Sequence, residues 1–329
     1  VLGQDGAGHT EPVAQLADHF LRAQHILLTT HTTPDGDGIG GSLGLAQILR
    51  SLGKNVTVYL QDPVPYNLRF LPGADTITHQ VPDGASFDLT CSLDAPNLAA
   101  LGSKLPARPT LGLFVSIDHH RRAEPFADLT WNRPDSASVG ELVYQLAQTL
   151  GVEVTRDIAT CLYCAIFCDT GGFRYSRTNP HAMRVAAELL ERGVDPWEIT
   201  VHIQESHPAS RNLLLGEVLR TLTLSPDGRC AAITITREMF ERTGGSEALT
   251  DGFINFARGI EGVEVAIQLI EVDDESYRIG FRSRGRVDVS QVAGLLGGGG
   301  KKNAAGCQLC GTHGEILSRV FSAVAQVVA

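Results

Sequence analysis

The stretch His31-Thr32-Thr33-Pro34-Asp35-Gly36-Asp37-Gly38-Ile39-Gly40 places one imidazole and two carboxylates in a single Gly-rich turn. It follows the apolar run from His25 to Thr30, which reads as a buried strand, and precedes a helical run from Gly41 to Leu52. In open α/β sheets the carboxyl end of a strand is where sites are built. Three such groups packed so closely repel or compete unless something positive sits among them, and a divalent metal is the simplest candidate. The stretch thus asks for a strand end, a helix start and a counter-charge in one place.

The same arrangement recurs along the chain. Val56 to Leu60, Phe87 to Leu93 and Leu111 to Ile117 read as further strands. The second of these delivers Asp94, and the third delivers Asp118-His119-His120. Residues 12–23 and Ser138 to Leu150 read as helices, the latter with Ser136 or Ser138 as N-cap. Thr155 to Cys168 is another helix, and the glycines of Asp169-Thr170-Gly171-Gly172 are expected to stop it and leave Asp169 in a loop. Strands separated by helical or irregular crossovers predict a doubly wound, mainly parallel sheet. Helices are expected over 179–192, 196–204 and 208–220.

From about residue 221 the texture changes. Arg229 to Thr236, Val263 to Val272 and Tyr277 to Arg282 read as strands. Arg237 to Arg258, Ser290 to Leu296 and Ile316 to Val328 read as helical. This half is expected to be a smaller α+β domain, giving one domain over residues 1–205 and a second, with its linker helix, over 206–329.

The formal net charge of −10 argues against a long basic groove for nucleic acid. It is compatible with a small phosphate substrate held by metals and a few arginines. No apolar run is long enough to span a bilayer, and the N-terminus shows no basic region leading into an apolar core. The expectation is a cytoplasmic protein with no membrane partner. The spacings Cys161/Cys164 and Cys307/Cys310 would suit zinc, but Cys161 to Cys168 lie in an apolar run, so small buried hydrophobes in a reducing compartment are the expected reading.

Four element ends therefore carry ligand-type side chains: His31/Asp35/Asp37, Asp94, Asp118/His119/His120 and Asp169. One aspartate after a strand is ordinarily a cap or turn residue. The joint occurrence with Asp-His-His is hard to explain as capping. Carboxylates with imidazole and no thiolate form a hard O/N set that suits Mn(II) or Mg(II) more than structural zinc. A bridging carboxylate would hold two ions about 3.5–4 Å apart, an arrangement that activates water for in-line phosphoryl displacement.

These motifs resemble those of the DHH phosphoesterase family, and Phe281-Arg282-Ser283-Arg284-Gly285 with the Gly-rich run 297–306 is similar to its C-terminal DHHA1 domain. The two-domain length resembles the nanoRNase/pAp phosphatase branch. The resemblance implies that His31 and Asp35 hold one Mn(II), that Asp37, His119 and Asp169 hold another, and that Asp94 bridges both. It implies that His120 faces the substrate as a phosphate contact or proton donor, that Asp118 orients an imidazole, and that a metal-bridged hydroxide attacks phosphorus. Mg(II) is the alternative ion.

In the C-terminal domain, glycines let backbone N–H groups approach an anion closely. Gly298, Gly299, Gly300, Lys301 and Asn303 are expected to border the substrate, with Ser283. Arg282 and Arg284 alternate around Ser283 on a strand, so both are expected to clamp a phosphate from one side. Lys301 stands where the family commonly has histidine, which keeps a cation but loses titration near neutrality. The expected activity is cleavage of short RNA or DNA oligonucleotides to mononucleotides and dephosphorylation of 3′-phosphoadenosine 5′-phosphate (pAp) to AMP. The chain alone leaves open a homodimer, and it leaves as alternatives a cyclic-dinucleotide phosphodiesterase, an inorganic pyrophosphatase and a sensor without turnover. Trp131, Phe173 and Tyr175 are candidates to stack a base or simply to pack.

Overall fold

The computed structural model describes residues 10–121 and 123–328. The stretch before Thr10, on which the reading of a missing leader rests, lies outside the described residues. The chain divides into two compact units, one ending at Ser206 and the other starting at His207.

The first unit is built from α1 (Thr10–Arg22), β1 (His25–Thr29), α2 (Gly36–Ser51), β2 (Asn55–Val58), β3 (Leu89–Leu93), β4 (Leu113–Asp118), β5 (Leu129–Asn132), α3 (Val139–Thr149), α4 (Arg156–Asp169), α5 (Pro180–Glu191) and α6 (Pro196–Thr200). Its five strands run parallel in the order β2-β1-β3-β4-β5. The chain winds outward in both directions from β1, so the topological switch lies between β1 and β3. Strand residues of alternate parity serve the two faces. Ile26, Leu28, Cys91, Val115 and Ile117 join the helices in the main core. Leu27 and Phe114 face a smaller cluster with Tyr59, Ala95, Leu101 and Leu111. Among the described residues, that second face is covered by irregular connections and short 3-10 turns such as Leu98–Leu101, not by α-helices.

Helix α2 begins at Gly36, five residues before the expected start at Gly41. Asp35 is its N-cap, and its side chain accepts from the backbone N–H groups of Asp37 and Gly38. The glycines of this helix cost helix propensity, but close packing requires two of them. A Cβ on Gly38 would sit 2.2 Å from Thr30 Oγ1, and one on Gly40 would sit 2.4 Å from the Cys161 carbonyl oxygen in α4. Backbone thus lies almost directly on backbone where α2 crosses α4. Asp169, expected in a loop, is instead the last residue of α4; Gly171 and Gly172 at positive φ then turn the chain. Strand β5 was not expected, because its four residues are flanked by polar turn residues.

The second unit contains α7 (Ala209–Leu219), β6 (Thr223–Leu224), β7 (Cys230–Ile235), α8 (Arg237–Thr243), α9 (Ile254–Arg258), β8 (Val265–Asp273), β9 (Ser276–Ser283), α10 (Val289–Leu295), β10 (Gly299–Lys301), β11 (Ala304–Cys310) and α11 (His313–Val328). Its mixed sheet has the order β10-β11-β9-β8-β7-β6, with only β7 and β8 parallel. One face packs on α10 and α11 through Val265, Ile267, Ile279, Phe281, Val292 and Val320. The other face packs on α7, α8 and α9 through Ala231, Ile233, Leu214, Phe253 and Ala257. No helix among the described residues is long and apolar enough to cross a membrane.

The glycine contacts give a graded expectation for stability. Gly40→Ala must push apart two helix backbones and should cost about 1–3 kcal/mol. Gly44→Ala meets only the end of the Leu162 side chain, and the alanine regains about 1 kcal/mol of helix propensity. Urea unfolding of the two variants should rank Gly40→Ala clearly the less stable; equal midpoints would contradict backbone contact as the reason for Gly40.

Candidate metal centre

Every predicted ligand of the first unit lies at the carboxyl ends of the central strands. His31 follows β1, Asp94 follows β3, and Asp118 ends β4 just before His119 and His120. The N-terminus of α2 contributes Asp35 and Asp37, and the C-terminus of α4 contributes Asp169. Among the described residues, three outside glycine have positive φ, namely Thr33, Asp94 and Phe173. Two of them flank ligand positions and the third is itself one. For a β-branched residue such as Thr33 this backbone is an outlier that the surroundings must enforce.

The side chains converge on Asp94. His31 Nε2 lies 3.8 Å from Asp35 Oδ1 and 3.5 Å from Asp94 Oδ2. On the other side, His119 Nε2 lies 3.3 Å from Asp94 Oδ1, 3.4 Å from Asp37 Oδ2 and 3.5 Å from Asp169 Oδ2. His31/Asp35/Asp94 and Asp37/His119/Asp169 each form a group able to hold one ion, and Asp94, His119 and His120 form a third such grouping. Asp37, Asp94 and His119 are buried, whereas the Asp35 side chain is half exposed. The centre therefore has a dry floor and an open rim.

Local structure holds each group. Asp37 accepts from the N–H groups of Val139 (2.9 Å) and Gly140 (3.3 Å), the first turn of α3, where the helix dipole favours negative charge. His120 Nδ1 is 2.8 Å from Asp118 Oδ1, so Asp118 fixes the ring. Asp94 Oδ1 and Asp118 Oδ2 are buried and make no hydrogen bond. Unsatisfied buried carboxylate oxygens beside imidazole nitrogens, with no cysteine in any candidate group among the described residues, fit a hard divalent ion.

The electrostatics of the metal-free chain point the same way. Burial opposes a charge on His31, yet the carboxylates of Asp35 and Asp94 outweigh it and hold the imidazole up at about 10. Burial also opposes charge on His119, and Asp94 and Asp169 again push it up. Burial would raise Asp94, but His119 and His31 hold it well below the usual carboxylate range. Asp37 goes the other way, pushed well up by burial and by the charges of Asp94, Asp169 and Asp35. Protons thus stand in for positive charge that this cluster lacks.

In the second unit the expected substrate residues fall into two sets. Ser283 and Asn303 meet: Ser283 N–H donates to Asn303 O (3.1 Å), and the hydroxyl lies 3.3 Å from Asn303 Oδ1. Arg282 is the penultimate residue of β9, next to Ser283 and paired with Ala304 of β11. Arg284 does not alternate with it on the strand. It lies beyond the end of β9 and donates to the carbonyls of Arg258 and Ile260, both at 3.0 Å, so its guanidinium braces the end of α9. Nor is 297–306 a free loop. Gly299, Gly300 and Lys301 form the edge strand β10, hairpin-paired with β11, and Gly298 packs against Gly306 and Cys307. A cavity of about 400 Å³ opens beside β8, β9 and β11, lined by Gln268, Arg278, Gly280, Gly306 and Gln308 among others. Of the stacking candidates, Trp131 is buried, Phe173 packs on Tyr163 and Phe167, and Tyr175 is exposed over Gly171.

Sequence reasoning missed Arg177, whose guanidinium reaches His119 and Asp169. It belongs to no motif in the chain, and only the fold brings it there.

Comparison with known proteins finds two domain matches along the chain. The DHH family, N-terminal domain, matches residues 25–166, and the DHHA1 domain matches residues 238–329. The chain is 37% identical over 91% of its length to the Bifunctional oligoribonuclease and PAP phosphatase NrnA of Thermus thermophilus, covering 89% of that protein. A crystal structure of an exopolyphosphatase-related protein from Bacteroides fragilis is 30% identical, with a TM-score of 0.90 over 99% of this chain and 98% of that one. RecJ of Thermus thermophilus, solved in complex with Mn2+, shares the fold at 15% identity and a TM-score of 0.60, over 99% of this chain and 56% of its own.

His31 gives a pH signature. A histidine whose pKa rises on folding stabilises fully below its unfolded value of about 6.5, and that stability is lost as pH rises through about 10. Metal-free protein should therefore lose denaturant resistance between pH 7 and 10, and His31→Gln should flatten that limb. An unchanged slope in the variant would contradict the coupling of His31 to Asp35 and Asp94.

Proposed function

The chain belongs to the DHH family of phosphoesterases and carries a C-terminal DHHA1 domain, and from that premise we propose that it hydrolyses short oligonucleotides to nucleoside 5′-monophosphates and pAp to AMP. The observation that carries the proposal is the position of Asp94, whose two oxygens face two separate His/Asp groups. In this reading His31 and Asp35 hold one divalent ion, Asp37, His119 and Asp169 hold the second, and Asp94 serves both. The proposed ion is Mn(II), with Mg(II) as the substitute. Such ions supply Lewis-acid stabilisation of phosphoryl oxygens and a lowered pKa for the attacking water.

The remaining chemistry is assigned to the chain's own residues. Asp118 holds His120 through Nδ1, which leaves Nε2 to contact the scissile phosphate or to pass a proton to the leaving oxygen. The α3 N–H groups fix Asp37, so the carboxylate is oriented before anything binds. In the second domain Arg282, Ser283, Asn303 and the Gly298-Gly299-Gly300-Lys301 edge are the proposed substrate contacts, with Lys301 as a point charge. Arg284 is withdrawn from the clamp, since its donors are already committed to α9. A substrate of few phosphates needs little neutralisation, which suits a chain of net charge −10. The NrnA relative carries both activities in its name. The proposed compartment is the cytoplasm, which suits seven free cysteines.

Product analysis tests this reading. With Mn(II), a labelled trinucleotide RNA should yield mononucleotides and pAp should yield AMP, both faster than a cyclic dinucleotide or pyrophosphate is consumed. Turnover of either of the last two alone would overturn the substrate assignment. Asp94→Asn should lose more activity than the roughly 10–100-fold typical of an outer-shell partner. Arg282→Ala should raise KM about tenfold with kcat little changed, as a charged hydrogen bond of about 1.5 kcal/mol requires.

A further inference from the structure

We propose that Arg177 is a positioning residue that sets the cation affinity of the Asp37/His119/Asp169 group and makes the two halves of the centre unequal. The inference rests on the metal-centre reading above.

Arg177 lies between α4 and α5 and is anchored on backbone carbonyls. Its Nε donates to Ala137 O (3.2 Å), and its Nη2 lies 3.2 Å from Ser136 O and 3.3 Å from His119 O. The Ser136-Ala137 turn is itself held from the other side, since Ala137 N–H donates to Glu141 Oε1 at 2.6 Å. From this anchorage Nη2 comes within 2.6 Å of His119 Nδ1, and Nε lies 3.3 Å from Asp169 Oδ2. A fixed cation therefore touches two of the three members of one ion group. Among the described ion pairs, His31, Asp35 and Asp94 have no arginine or lysine partner.

When the His119 ring is neutral and Nδ1 accepts from Arg177, its one ring proton is on Nε2 and points among Asp37, Asp94 and Asp169. When Nε2 ligates an ion, the proton resides on Nδ1 and its acceptor is Ser136 O, 3.3 Å away. Two donors cannot face each other at 2.6 Å, so loading this group obliges Arg177 to give up Nδ1. Its carbonyl anchors remain, and its charge stays beside Asp169. Both effects lower the affinity of this group for a dication, and they reach the other group only weakly, through distance and the shared Asp94.

The test is a Mn(II) titration followed by electron paramagnetic resonance of the free ion, on wild type, Arg177→Gln and Arg177→Lys, with thermal unfolding to verify that each variant folds. In Arg177→Gln one of two binding steps should tighten at least tenfold while the other stays within twofold. Arg177→Lys keeps the charge and should remain near the wild-type affinities. If Arg177 merely props up the ligands, Arg177→Gln binds one or both ions more weakly, and the proposal fails. Equal tightening in both variants would remove charge as the cause and also overturn it. Should wild type bind no Mn(II), the metal-centre reading itself falls, and this inference with it.

Discussion

Four aspartates, Asp35, Asp37, Asp94 and Asp169, are brought to the ends of two imidazoles, and the fold around them is arranged to bear that concentration of charge. Left to themselves these carboxylates would repel one another. In the metal-free chain the repulsion shows as displaced titration: His31 and His119 hold protons more tightly, Asp37 is pushed towards its neutral form, and Asp94 stays ionised because His119, His31 and His120 face it. A site whose protons compensate missing positive charge is poised to exchange them for a dication.

The scaffold meets this demand with backbone more than with side chains. Parallel strands end together at the switch between β1 and β3 and deliver His31 and Asp94 side by side. Two helix N-termini face the cluster, α2 capped by Asp35 and α3 donating to Asp37. Glycines allow α2 to lie so close to Thr30 and α4 that Asp37 and Asp169 reach the same point from opposite elements. Each device gives up local stability, through helix glycines or positive φ at Thr33 and Asp94, and the surrounding buried core offsets it.

Much of this was legible in the residues because the ligands follow apolar runs whose type is unambiguous. His31, Asp94 and Asp118-His119-His120 each sit where a strand must end, and Asp169 where a helix must. What escaped has physical causes. The start of α2 was misplaced because glycine argues locally against helix, and only contact with Thr30 and Cys161 explains it. Strands β5, β10 and β11 were missed because they are short or glycine-rich and acquire strand character by pairing with neighbours. Arg284 looked like a clamp because alternation was extended one residue past the end of β9. Arg177 was invisible because its role comes from a turn some forty residues earlier in the chain.

Family membership carries the reading of the centre to a reaction. The metal centre itself is the central claim. Crystals grown with Mn(II) and measured at a wavelength sensitive to manganese would test it most directly. The account predicts two anomalous peaks about 3.5–4 Å apart, both within ligand distance of Asp94, one beside His31 and the other beside His119. A single peak, or peaks away from Asp94, would contradict it.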